Sequence, residues 1–105
     1  MATVNPQTSP KFPASKIYDP ASSVGEDANT SNTVRGPSYV AIEGMAPTLT
    51  SVTLQVKIHP DADWHDYLDI DVTTPNALVE FSGNQPPNFV RVVRVGAGDF
   101  VVYAQ

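Results

Sequence analysis

Cysteine is absent from this 105-residue chain, which excludes a disulfide framework and any thiolate metal site and leaves nothing that argues for an oxidising compartment. Histidine is nearly absent: His59 and His65 are the only two, too few for a zinc centre that draws three or four ligands from His and Cys. Bases are scarce, six against eleven acids for a formal net charge of −5. A chain so poor in cations binds phosphate backbones badly, so no nucleic-acid partner is expected. No apolar run approaches the roughly 18 residues of a membrane-spanning helix, and the opening MATVNPQTSP has neither the basic nor the apolar region of a secretory signal. No membrane is therefore expected, and the chain reads as one made and folded in a cytoplasm. No glycine-rich loop opens a helix and no nucleophile elbow is present, so the sequence gives no ground for expecting an enzyme or a cofactor.

Proline, by contrast, is abundant: ten residues, about twice average usage. Pro6, Pro10, Pro13, Pro20 and Pro37 fall in the first 37 residues, among Ser, Thr, Asn and Asp. The large apolar side chains of that stretch, Val4, Phe12, Ile17, Tyr18, Val24 and Val34, are widely spaced. Such a segment buries too little to offset its ordering entropy, and its prolines favour extended backbone. Residues 1–37 are therefore expected to form an extended polar arm, held by a partner chain through Phe12, Ile17, Tyr18, Val24 and Val34; a tail folded back on its own domain is the alternative.

From Ser38 the composition changes. Ser38–Ile42 (SYVAI) is β-branched and aromatic, and SVTLQVKIH alternates with Val52, Leu54, Val56 and Ile58 on one face and Thr53, Gln55, Lys57 and His59 on the other, the signature of a half-buried antiparallel strand. After the turn PDAD, WHDYLDIDV sets Leu68, Ile70 and Val72 opposite Tyr67, Asp69 and Asp71. ALVEF, FVRVVRV and FVVYA follow, separated by turns rich in Pro, Gly and Asn. Six short strands at about ten-residue spacing, with no helical period, predict an all-β, small antiparallel sandwich over residues 38–105. Apolar residues on both parities of the last strands, and a core near the lower size limit, argue for a homo-oligomer, with a trimer favoured.

The densest polar cluster is HPDADWHDYLDID. Counted from Asp61, the positions where an EF-hand loop needs an oxygen donor, Gly and Glu hold His65, Asp66 and Val72. The cluster reads as turn and strand-surface chemistry, so no metal is expected; calcium at Asp61, Asp63 and Asp66 is the alternative. Trp64 is read as a cap on the core, and a sugar platform of Trp64 with Tyr39, Tyr67 and Tyr103 as its alternative.

From Thr48 to the end, the run SVTLQVKI, PDADWHDYLDIDV, ALVEF, PPNFVRVVRV and GDFVVYA resembles the small β-sandwich domains of tailed-bacteriophage virion proteins. The resemblance covers about 58 residues and implies a jelly-roll-like or immunoglobulin-like sandwich in a non-enzymatic virion component, made in the host cytoplasm. Among such proteins, a long arm suits a capsid decoration or cement protein that straps the major capsid protein or other virion subunits. A neck, tail or fibre component is the alternative, and a carbohydrate- or calcium-binding module the second.

Overall fold

The computed structural model describes residues 14–81 and 88–105; the expected anchor Phe12 lies outside the described residues. Eight strands follow one another: β1 (Ser15–Tyr18), β2 (Val34–Arg35), β3 (Tyr39–Glu43), β4 (Leu49–Lys57), β5 (His65–Ile70), β6 (Asn76–Glu80), β7 (Phe89–Gly96) and β8 (Val101–Ala104). They make two four-stranded sheets, ordered β1-β8-β3-β6 and β2-β7-β4-β5, in which every pairing is antiparallel. Packed together, they form the β-sandwich that the strand spacing predicts.

Alternation builds the core. Val52 and Leu54 of β4 are buried beside Val90 and Val92 of β7, and Val40 and Ile42 of β3 meet them from the other sheet together with Val102 and Ala104 of β8. Each such aliphatic side chain contributes about 1.5–3 kcal/mol on burial. Two residues expected inside do not stay there. Ile58 is 71% exposed, because β4 ends at Lys57 and the chain leaves the sheet. Leu68 lies opposite buried Leu54, yet β5 is the edge of its sheet and leaves Leu68 exposed. Between Leu68 and Asp66 the register of β5 on β4 shifts, with Tyr67 as the extra residue, and this bulge breaks the expected alternation.

The boundary expected at residue 37 does not divide the structure. β1 pairs with β8 and β2 with β7, so residues 14–37 give each sheet an edge strand. A bulge between Lys16 and Tyr18 turns two consecutive side chains inward, and Ile17 and Tyr18 are both buried, Tyr18 to 1% exposure. The Tyr18 ring lies 4.9 Å from Phe100, and its hydroxyl donates to the Ala28 carbonyl at 2.6 Å. Beyond β1, the main chain carries the attachment: Asn32 N–H donates to Ile17 O, Ser31 N–H to Val92 O and Arg94 N–H to Asn29 O, each at 2.9 Å. The buried Ser31 hydroxyl accepts the Val92 N–H at 2.8 Å. Gly25 holds φ +141°, and a Cβ there would sit 2.9 Å from Thr30 O and 3.2 Å from the Tyr18 ring, so the loop closes over Tyr18 only with glycine.

Candidate docking face

The expected arm anchors separate. Ile17 and Tyr18 belong to this chain's own core, and Val34 packs against it half-buried. Val24 is half-buried in the loop, where its N–H and carbonyl bond those of Asp19 at 3.0 and 2.9 Å. A folded tail rather than a strap accounts for these four, because sheet edges satisfy the backbone that the sparse side chains do not.

The Asp-rich run is spread over the β4–β5 connection, β5 and the residue after it, and among the described residues no three His, Asp or Glu side chains converge as metal ligands. Asp61 N–H donates to His59 Nδ1 at 3.0 Å, and Gln55 Nε2 donates to Asp66 at 2.9 Å. Asp71 accepts the backbone N–H and the hydroxyl of Thr73, bonds that hold its carboxyl below the ordinary carboxylate value. The aromatic residues do not share one platform either. Tyr39 and Tyr103 lie on the outside of the first sheet, while Tyr67 sits at the β5 edge with its ring 5.8 Å from Phe81.

Trp64 does not cap the core. It lies outside the second sheet beneath two cations, with the Arg91 guanidinium carbon 4.3 Å and Lys57 Nζ 5.1 Å from the ring centroid. Register explains the grouping. Arg35 lies opposite Phe89, and Phe89 opposite Lys57; Trp64 immediately precedes His65, the partner of Val56. One cross-strand row therefore reads Arg35, Phe89, Lys57, Trp64, cation and ring in alternation, with the Arg35 guanidinium 5.5 Å from the Phe89 centroid. In the next row, Arg91 Nε donates to Gln55 Oε1 at 2.8 Å, and Gln55 in turn holds Asp66. Each cation over a ring is worth about 0.5–1 kcal/mol at an exposed site, enough to hold side chains upright on the sheet.

The charge pattern singles out this face. Among the described residues, Lys16 and Arg94 form ion pairs at 3.0 Å with Asp19 and Asp99. Arg35, Lys57 and Arg91 form none, and they stand together. Among the described residues, an acidic protein thus gathers the cations without an ion pair on two aromatic rings, on one side of one sheet. The sequence signal was present in the parity of Lys57 and Arg91 on their alternating strands, but only the register brings Arg35, Trp64 and Phe89 to them.

No protein-family model matches the chain, and no curated protein or solved structure matches it.

Proposed function

We propose that this protein is a non-enzymatic structural component of a virion, a capsid decoration or cement protein that docks through the cation–aromatic face of its second sheet. The observation that carries the reading is the row Arg35, Phe89, Lys57, Trp64 with Arg91 beside it. Tryptophan, aromatic rings and arginine are the residues enriched at the centres of protein interfaces, where a few of them carry most of the binding energy. Their display on an open sheet face favours a protein surface over a small substrate, which needs a concave site. The sequence resemblance supports a virion assembly as the setting, and the row supports this face as the surface. Residues 1–13, with Phe12, are the part of the chain that takes the role of strap.

The test is sedimentation of the full chain with phage particles that lack it. The wild-type chain pellets with the particles, and W64A/R91E lowers retention by at least about tenfold, the effect of losing ~1.4 kcal/mol. Raised salt weakens retention, because exposed charges attract less when screened. Wild-type protein recovered wholly in the supernatant refutes the proposal, and copy number per particle separates a capsid location from a neck or tail ring.

A further inference from the structure

Among the described residues the two sheets have four edge strands, and three of these are guarded. β1 is four residues long, bulged, and carries Lys16. β2 has two residues. β5 is bulged at Tyr67 and carries Asp66 and Asp69. Short length, bulges and charges are the devices that keep an edge from pairing with another chain. β6 has none of them at its centre: its five residues, Asn-Ala-Leu-Val-Glu, run in unbroken register along β3 from Glu43↔Asn76 to Tyr39↔Glu80.

Which backbone groups of β6 face outward follows from its inner bonds. Phe81 N–H donates to Ser38 O at 2.9 Å, and antiparallel alternation then turns Ala77 and Val79 toward β3 and the amides of Asn76, Leu78 and Glu80 toward the open edge. Those same three side chains stand on the outer face of the sheet, where Leu78 is 67% exposed. Leu78 continues the row Tyr103, Ala41, Leu78, which lines a shallow groove of about 250 Å³.

We propose that β6 pairs antiparallel with β6 of a second copy, on a two-fold axis at Leu78, joining the two first sheets into one continuous eight-stranded sheet. That register is the self-complementary one. Leu78 meets Leu78 of the second copy, and Asn76 meets Glu80 at either end, so every outward amide finds a partner and no carboxylate faces another directly. The apolar row becomes a stripe from Tyr103 of one copy to Tyr103 of the other, which closes the most exposed leucine of the chain into an interface. A two-fold of this kind differs from the trimer expected from composition. It stands apart from virion docking, which uses the other sheet.

The experiment is sedimentation equilibrium of the full chain with two variants. The wild-type chain sediments as a dimer, and L78K, at a side chain already in solvent, sediments as a monomer with an unchanged circular dichroism spectrum. Because the chain has no cysteine, L78C and V95C each carry a single thiol. A hydrogen-bonded antiparallel pair sets its Cα atoms ~5.5 Å apart, so L78C cross-links to a dimer with a short bis-maleimide, whereas V95C on the second sheet does not. A wild-type monomer, a trimer, a dimer that survives L78K, or equal cross-linking of L78C and V95C overturns the proposal; if L78K does not fold, the cysteine pair decides. All of these are read on the isolated chain, so failure to bind particles leaves the result unaffected.

Discussion

Residues 14–37 and the strands from β3 onward enter the same sandwich by different means. The later strands hold together through side chains: Val40, Ile42, Val52, Leu54, Val90 and Val102 are all at 0% exposure. The earlier segment brings Ile17, Tyr18 and the Ser31 hydroxyl inside, rests Val34 half-buried against the core, and is otherwise attached chiefly by backbone hydrogen bonds to β7 and β8. A sequence too polar to build a core of its own can thus add to one already present, because an open sheet edge supplies the donors and acceptors. This is β-strand addition within a single chain.

Two truncations put the contrast to its strongest test. Deleting residues 2–36 removes both edge strands with Ile17 and Tyr18 and abolishes cooperative thermal unfolding followed by circular dichroism. Deleting residues 2–13 leaves a cooperative transition. A 2–36 deletion that melts like the full chain would make the early segment an appendage after all.

Next in size are single core truncations on either side. Tyr18→Ala and Leu54→Ala each cost about 2–5 kcal/mol in urea unfolding, and a Tyr18 variant of wild-type stability would break the equivalence. Ser31→Ala removes the acceptor of the Val92 N–H and costs about 1–3 kcal/mol in the same assay.

A smaller effect is pH-dependent. Burial raises the Tyr18 phenol above its ordinary value of 10.0, so its contribution is whole below pH 10 and is lost as pH rises through the higher folded value. Lys16, raised by its hydrogen bond to Asp19, loses its contribution in the same direction. Asp19, lowered by that bond, contributes above the ordinary carboxylate value of 3.8 and loses its share as pH falls through the lower folded value. Melting temperatures should hold level from pH 8 to about 10 and decline above it, less steeply in Tyr18→Phe. Smallest of all for stability is Arg91→Ala, at no more than about 1 kcal/mol by urea unfolding.

The strands from β3 to β8 were legible because alternation survives wherever a strand has one wet face, as in Val52–Thr53–Leu54–Gln55. β1 was not, since its bulge puts Ile17 and Tyr18 on the same side and erases the two-residue period. β2, at two residues, is too short to have a period. Tyr67 hides the register of β5 in the same way as Ile17 hides that of β1. The candidate docking face was readable only in the parity of Lys57 and Arg91: Arg35, Trp64 and Phe89 join them only through strand pairing. Sequence spacing carries no trace of that order, although composition had already shown how few cations there were to place.

The order of strands in the first sheet also sets a timetable. β8 is the last strand in chain order, yet it lies between β1 and β3, with Ser15 opposite Ala104 and Val40 opposite the same residue. On a ribosome, β3 can pair with β6 first, but β1 has no strand of its sheet to pair with until β8 emerges. Closing so long a stretch of chain between β1 and β8 favours slow folding. Until synthesis reaches β8, Tyr18 has neither its neighbouring strand nor Phe100 to cover it.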